Sequence, residues 1–207
     1  LRMVASYTEL LAQRYEGKLD DTADKYIHFA VDGARRMKEL INALLDYARV
    51  DKHALHTAPT SMKEIVQSAV TSLEPLIEES NAEVTFDDLP SVEVDPTLIA
   101  LLLQNLIGNA IKFRSELRPK VKITSMNDGD MCVVSIEDNG IGIEEKFGDR
   151  IFQMFQRLHA RDKYKGNGIG LAVARKIVER HSGKIWFKSR PLFGTTFSFT
   201  LPLTREK

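Results

Sequence analysis

Residues 95–113 read DPTLIALLLQNLIGNAIKF, and this stretch decides the fold. Its opening Asp-Pro pair is typical of a helix start, because Asp caps the first turn and Pro is tolerated at the first helical position. Asn105, Asn109 and Lys112 follow at i, i+4 and i+7, so they share one face of an otherwise apolar helix. Asn is a poor helix former, because its amide competes for backbone hydrogen bonds. The face is either a solvated polar stripe, or a site where amide oxygens coordinate Mg²⁺ and the ammonium group meets phosphate.

Residues 131–138 alternate apolar and polar side chains, which predicts a half-buried strand. The alternation places Asp138 in the same core-facing row as the apolar residues before it. A buried carboxylate needs hydrogen-bond donors, and the exocyclic amine of adenine is a suitable one. The alternative is an ordinary turn, because Asp-Asn-Gly commonly ends a strand. In the first interpretation, Gly140 and Gly142 let the backbone approach the base.

A Gly-rich turn, Gly166-Asn167-Gly168-Ile169-Gly170-Leu171, leads directly into a predicted helix. Exposed amide groups and the positive end of the helix dipole at such a turn favour phosphate. A Gly-x-Gly-x-Gly pattern also occurs in dinucleotide-binding folds, but there it follows a parallel strand. Here residues 145–165 are charged and irregular, so we set that fold aside and predict a mobile lid over a nucleotide.

Composition indicates a soluble globular protein of 207 residues without a nucleic-acid partner. Lys plus Arg and Asp plus Glu each total 29, so the formal charge is zero and a non-specific polyanion binder is disfavoured. The one cysteine, Cys132, lies in an apolar strand pattern, which is typical of a reducing compartment. No stretch approaches the roughly 20 apolar residues of a membrane span. We expect a cytoplasmic fragment, with the membrane involved only through a missing N-terminal region.

The first 52 residues predict a helical hairpin. One helix covers residues 1 to about 16, and Asp21 or Thr22 can cap a second one that runs to about 50. In the second helix, apolar residues recur at 3-4 spacing over three heptads. The seam consists of Ile27, Ala30, Ala34, Met37, Ile41, Leu44 and Ala48. We predict pairing with a second copy into a four-helix bundle, although a hairpin packed on its own downstream domain is the alternative.

The chain beyond the hairpin predicts an α+β sandwich. Residues 53–60 form a polar linker, and residues 61–207 alternate helices and strands without regular βαβ crossovers. We therefore expect helices covering one face of a mixed sheet. The predicted helices span about 61–79, 96–114 and 169–181, and the predicted strands 82–87, 92–94, 120–126, 131–138, 183–189 and 195–202.

Five segments resemble the boxes of sensor histidine kinases, and phytochrome-like kinases most of all. Residues 105–113 resemble the N box, 138–143 the first glycine box and 151–159 the F box. Residues 164–171 resemble the second glycine box, and 194–197 the last one. Leu192 departs from the family, which usually has another Gly there. The resemblance covers nearly the whole chain and implies a dimerisation and phosphotransfer hairpin followed by an ATP-binding domain of the Bergerat type.

The resemblance implies a role for each matching residue. Asn109 is expected to bind Mg²⁺, Asn105 and Lys112 the phosphates, and Asp138 the adenine. Thr195 is preferred to Thr196 as the hydroxyl beside the base, because strand alternation places it with Phe197. The remaining expected ATP-binding residues are Phe113, Gly140, Gly142, Ile143, Tyr164, Lys165, Gly166, Asn167, Gly168, Ile169, Gly170 and Leu171.

The same resemblance implies phosphoryl transfer from ATP to a histidine, and then to an Asp of a response regulator receiver domain. In the family that histidine precedes an acidic residue and a Pro-Leu-Arg sequence, and this chain begins at Leu1-Arg2. We expect the fragment to bind ATP without phosphorylating itself. Two alternatives are an ATP-hydrolysing clamp, which has a Glu where this chain has Asn105, and a non-catalytic dimerisation module.

Overall fold

The computed structural model describes residues 2–156 and 167–204, in two compact units, Leu1–Ala48 and Arg49–Lys207. The helices are α1 (Arg2–Tyr15), α2 (Asp21–Lys52), α3 (Met62–Ser72), α4 (Glu74–Ser80), α5 (Pro96–Lys112) and α6 (Gly170–Arg180). The strands are β1 (Ala58–Ser61), β2 (Glu83–Phe86), β3 (Ser91–Val94), β4 (Lys120–Asp128), β5 (Met131–Asp138), β6 (Ile185–Arg190) and β7 (Gly194–Pro202). A 3-10 segment spans Glu145–Phe152. No helix within the described residues is both long enough and apolar enough to span a bilayer.

The first unit is a helical hairpin formed by α1 and most of α2. The cap of α2 is Asp20, whose Oδ1 accepts a hydrogen bond from the N–H of Ala23 at 2.7 Å, and not Asp21 or Thr22 as predicted. Much of the predicted seam is on the surface of the single chain. Met37, Ile41 and Leu44 are between 42% and 46% exposed.

The second unit is built on a five-stranded mixed sheet, as predicted. Its order is β2-β4-β5-β7-β6, in which β2 and β4 are parallel and the other neighbours antiparallel. A separate two-stranded sheet pairs β1 with β3, from Ala58 opposite Val94 to Ser61 opposite Ser91. The sequence did not predict β1. It also predicted one helix over 61–79, where the structure has α3 and α4.

Helix α5 lies at the centre of the second unit, between α3, α6 and the sheet. Its apolar face is wholly buried, and burying one Leu or Ile side chain stabilises a fold by about 1.5–3 kcal/mol. The sheet contributes the buried row Cys132, Val134 and Ile136 from β5. Burial raises the pKa of the Cys132 thiol to about 11. Such packing fixes the position of the polar face of α5.

Asp95 is a buried hub at the start of α5, where the sequence predicted a cap. Its Oδ1 accepts hydrogen bonds from the N–H groups of Thr97 and Leu98. Its Oδ2 accepts from the N–H of His56 at 3.2 Å and lies 3.0 Å from Nε2 of His53. Burial alone would raise the pKa of this carboxyl, but these bonds together hold it below its ordinary value.

We expect Asp95→Asn to lower the free energy of unfolding by about 1–2 kcal/mol at pH 7. The amide preserves the cap, but it replaces Oδ2 by a donor that faces the N–H of His56. Because the folded pKa of Asp95 is depressed, its stabilisation is present above pH 3.8 and is lost as pH falls through the lower folded value. Urea unfolding between pH 3 and 7 measures both effects.

The matched control is Asp88→Asn, because the side chain of Asp88 is fully exposed. We expect that change to stay within about 0.5 kcal/mol of the parent. Equal effects of the two substitutions would contradict the role of Asp95 as a hub.

Candidate functional site

Two of the predicted motifs meet where Asn105 faces the Gly-rich turn. The side-chain amide of Asn105 donates from Nδ2 to the carbonyl of Leu101 at 2.9 Å, which orients the group on α5. Its Oδ1 lies so close to Gly170 that a Cβ added there would be 2.7 Å away. The two elements therefore approach closely at the first residue of α6, and a side chain there would have to displace the amide of Asn105.

Asn109 and Lys112, the other two predicted site residues of α5, lie toward its C-terminal end and are half-buried. No hydrogen-bond partner for the side-chain amide of Asn109 is found within the described ranges. Lys112 places its ammonium group 4.6 Å from the centre of the Phe113 ring. The same α5 face therefore presents an amide and a cation, as the spacing predicted.

Asp138, at the end of β5, is hydrogen-bonded through one carboxylate oxygen. Its Oδ1 accepts from the N–H of Gly140 at 2.8 Å and from the N–H of Thr195 at 3.2 Å. Burial, together with the nearby charge of Glu137, outweighs these bonds and raises the pKa of Asp138 to about 6. Oδ2 makes no hydrogen bond to the described residues, and it can accept one from a ligand.

The loop after Asp138 is held by backbone contacts that leave no room for side chains. The N–H of Ile141 donates to the carbonyl of Phe113 at 3.0 Å, which ties the loop to the end of α5. A Cβ on Gly140 would lie 2.4 Å from that carbonyl oxygen. Gly142 has a φ of +71°, and a Cβ there would lie 2.3 Å from the carbonyl oxygen of Arg190.

The described residues include only part of the segment around the Gly-rich turn. Tyr164, Lys165 and Gly166 lie outside the described residues, as do the rest of positions 157–166. Gly168 has a φ of +68°, and its carbonyl accepts from the N–H of Phe155 at 2.8 Å. Ile169 is fully buried, and no side chain among the described residues caps α6, so the N–H groups of its first turn can donate to a ligand.

Thr195 stands directly opposite Asp138 in the pairing of β5 with β7, and its side chain is buried. The sequence missed its other neighbour, Ser189 on β6, which pairs with Thr195 and whose Oγ lies 2.8 Å from Thr195 Oγ1. Ser189 also accepts a hydrogen bond from the N–H of Ile143 at 2.8 Å. Alternation within β6 places Ser189 on the same face as Phe187, which is the signal that could have found it.

Leu192, in the turn between β6 and β7, adopts a φ of +69°, a conformation that favours glycine. The turn is nevertheless attached to the first glycine loop, because the N–H of Leu192 donates to the carbonyl of Ile141 at 2.8 Å. The side chain is 81% exposed. The departure from the family's Gly therefore leaves a strained, exposed leucine beside the site.

A cavity of about 310 Å³ borders Asp138 on the opposite, solvent face of the sheet. Charged residues dominate its lining, and Glu83 forms ion pairs there with Arg118 and Lys120. The N-terminal amides of α6 and the polar face of α5 do not contribute to it. We therefore do not assign the nucleotide to this cavity.

Residues 94–205 match the family model described as "Histidine kinase-, DNA gyrase B-, and HSP90-like ATPase". The chain belongs to this family. Phytochrome-like protein Cph1 of Synechocystis sp. is 44% identical over 203 residues, which are 98% of this chain and 27% of Cph1. The chain spans about a quarter of the length of Cph1 and of cyanobacterial phytochrome A of Nostoc sp., which is 45% identical over 203 residues.

Solved structures of histidine kinases share the fold of this ATPase-family chain. The nucleotide-free catalytic domain of histidine kinase ThkA matches with a TM-score of 0.62 at 32% identity, over 72% of this chain and 97% of that one. ThkA in complex with the response regulator protein TrrA matches with a TM-score of 0.69 at 29% identity, over 98% of this chain and 58% of that one. The predicted resemblance to histidine kinases and the α+β fold class are confirmed.

Proposed function

We propose that the chain is the ATP-binding kinase core of a two-component sensor histidine kinase. The observation that carries the proposal is the convergence of three distant motifs on one site. Asn105 contacts Gly170, Phe113 holds Ile141, and Asp138 holds Thr195. The base end of this site has an available carboxylate oxygen, and the other end has backbone amides, an ammonium group and an amide oxygen.

We assign the base to Asp138 and Thr195, and the phosphates to Asn105, Lys112 and the Gly-rich turn. The base side also includes Phe113, Gly140, Gly142 and Ile143, and the proposed phosphate side includes the second glycine box, residues 164–171.

Mg²⁺ fits Asn109. No cluster of three His, Cys, Asp or Glu able to hold a metal exists among the described residues, so an ion here would rest on an amide oxygen and on phosphate oxygens. That donor set suits Mg²⁺, which commonly binds through one or two protein oxygens and a nucleotide. The ion would neutralise the charge of the triphosphate when bound.

The chain's own residues position the γ-phosphoryl group, which is most of what phosphoryl transfer requires. An attacking water would need a general base, and Asn105 stands where the ATP-hydrolysing clamps of this family have a Glu. Its amide donates to Leu101 and cannot take a proton. Transfer to a protein acceptor is therefore favoured over hydrolysis.

The acceptor that we propose is a histidine outside this sequence, followed by an Asp of a receiver domain. His181 is unsuitable, because it is buried and both ring nitrogens are hydrogen-bonded, to Asp95 N–H and to the Ile177 carbonyl. Burial also lowers its pKa. The complex of ThkA with a response regulator supports the receiver as partner.

We propose that the hairpin forms a homodimer. The exposed seam residues Met37, Ile41 and Leu44 support this, because a second hairpin would bury them. We also propose a cytoplasmic location, which suits the free thiol of Cys132. Any membrane association would then depend on a region outside this sequence.

The first experiment is thermal unfolding with and without Mg-ATP. At 100 times Kd we expect the free energy of unfolding to rise by about 2.7 kcal/mol, with a higher Tm. Removing Mg²⁺ with a chelator is the control, and it should reduce the shift in Tm. An unchanged Tm at a large excess of Mg-ATP would instead favour the dimerisation module.

The second experiment incubates the protein with γ-labelled ATP. We expect no acid-labile label to stay on the chain, because none of its five histidines is followed by the acidic residue that marks the acceptor in the family. Stable acid-labile label on this chain would overturn the assignment of the acceptor.

A further inference from the structure

We propose that Ser189 is a positioning residue that makes the nucleotide site select adenine over a purine with a carbonyl oxygen at the same ring position. It does so by fixing the direction of the hydrogen bond that Thr195 makes. The proposal rests on the proposed function, because it concerns the base that this site binds.

The geometry begins with a row of three side chains across three strands. Asp138 on β5 is directly opposite Thr195 on β7, which is directly opposite Ser189 on β6. Directly paired residues of antiparallel strands point to the same face of a sheet. The three polar groups therefore form one row, and the next row, Ile136, Phe197 and Phe187, is apolar.

Counting hydrogens gives the direction that we assign to each bond in this row. A serine hydroxyl has one hydrogen and two acceptor lone pairs. Ser189 donates its hydrogen to the carbonyl of Gly194 at 2.9 Å, because a carbonyl can only accept. It accepts the N–H of Ile143 with one lone pair, so the contact at 2.8 Å with Thr195 Oγ1 requires that Thr195 donates.

Thr195 is left with lone pairs but no hydrogen for a ligand. Asp138 uses Oδ1 for two backbone N–H groups and presents Oδ2, which above its pKa of about 6 is also an acceptor. The row therefore presents only acceptors to a base. Adenine offers an amino group with two hydrogens at ring position 6, whereas hypoxanthine offers a carbonyl oxygen, which two acceptors repel.

Ser189→Ala tests the proposal, because it frees the Thr195 hydroxyl to rotate and to donate to a carbonyl oxygen. Isothermal titration gives Kd for Mg-ATP and for Mg-ITP, whose base is hypoxanthine. We expect the wild-type protein to prefer ATP, and the ratio Kd(ITP)/Kd(ATP) to fall about tenfold in the variant, as the gain of one hydrogen bond predicts. Ser189→Thr keeps the hydroxyl and should keep the ratio.

The matched control is Ser198→Ala. Ser198 is a buried hydroxyl of the same sheet on the opposite face, hydrogen-bonded to Ser135 Oγ at 2.9 Å. It should leave the ratio unchanged. If Ser189 had a purely structural role, Ser189→Ala would weaken the binding of both nucleotides equally. An unchanged ratio of the two Kd values in Ser189→Ala therefore overturns the proposal.

Two further outcomes separate this proposal from the proposed function. If Ser189→Ala does not fold, Ser189→Cys replaces it, because the thiol fills the same space but is only a weak hydrogen-bond acceptor for the Thr195 hydroxyl. A lower ratio in that variant supports the proposal, and an unchanged ratio overturns it. Equal wild-type affinity for both nucleotides overturns this inference alone, whereas no binding of either overturns the proposed function with it.

Discussion

We expect Asp138→Asn to raise Kd for Mg-ATP by about 10- to 100-fold at pH 7.5. The Asn can still accept the N–H groups of Gly140 and Thr195, but it turns an amide donor toward the amino group of the base. A hydrogen bond to a charged acceptor is worth roughly 1.5–3 kcal/mol, which gives that range. Isothermal titration measures the change.

The free energy of unfolding of the same variant should stay equal or rise, although its affinity for Mg-ATP falls. The folded pKa of Asp138 is raised to about 6, so its ionised form destabilises the fold above that pH, and the cost disappears below 3.8. Asp138→Asn removes that cost, and we expect unfolding at pH 8 to need as much urea as the parent or more. Lower stability together with weaker binding would indicate general damage instead.

Affinity of the parent for Mg-ATP should also decrease as pH falls below about 6, because protonation of Asp138 removes the acceptor. Asp138→Asn lacks this component, so the difference between the two pH profiles isolates it from titration of the nucleotide. Asp128→Asn is the matched control, since its side chain is exposed at the end of β4 that lies far from Asp138. Identical profiles for parent and Asp138→Asn would contradict the assignment of the base to Asp138.

Gly142→Ala should cost about 2–4 kcal/mol of unfolding free energy and most of the affinity for Mg-ATP. The residue has a φ of +71°, and the added Cβ would lie 2.3 Å from the carbonyl oxygen of Arg190. The backbone of the loop or of β6 must move to accept it, and overpacking of this kind typically costs about 1–3 kcal/mol beyond the conformational strain.

Gly129→Ala separates strain from crowding. Gly129 has a similar φ of +60°, but nothing lies within 4 Å of the added Cβ. We expect a loss of about 1 kcal/mol and unchanged affinity. Urea unfolding and titration of both variants give the comparison, and equal losses would mean that the close contact with Arg190 is unimportant.

Local chemistry made α5 and the glycine motifs predictable. A helix with a strong cap and a continuous apolar face allows few alternatives, and Asn residues within it are conspicuous. Alternation also placed Asp138 and Thr195 in the core-facing rows of their own strands, because each strand has an apolar row that fixes which side chains face the core. These features depend on neighbours in the sequence.

The features that were missed depend on distant partners. Strand β1 contains Pro59 within a polar stretch, and it exists because Ala58–Ser61 pairs with β3, whose residues Ser91–Val94 come much later in the chain. Ser189 is a single hydroxyl whose importance comes from the register of β6 with β7. The true cap of α2, Asp20, lies one position before the predicted Asp21, within the usual uncertainty of helix boundaries.

Burial of the one thiol makes this protein convenient to label. Alkylating reagents attack thiolates, and Cys132 is inaccessible and has a pKa raised to about 11. A cysteine introduced at Leu192, which is 81% exposed, would therefore take up a fluorophore selectively, close to the proposed base pocket. The rate at which Cys132 itself is modified would then measure how often the sheet opens.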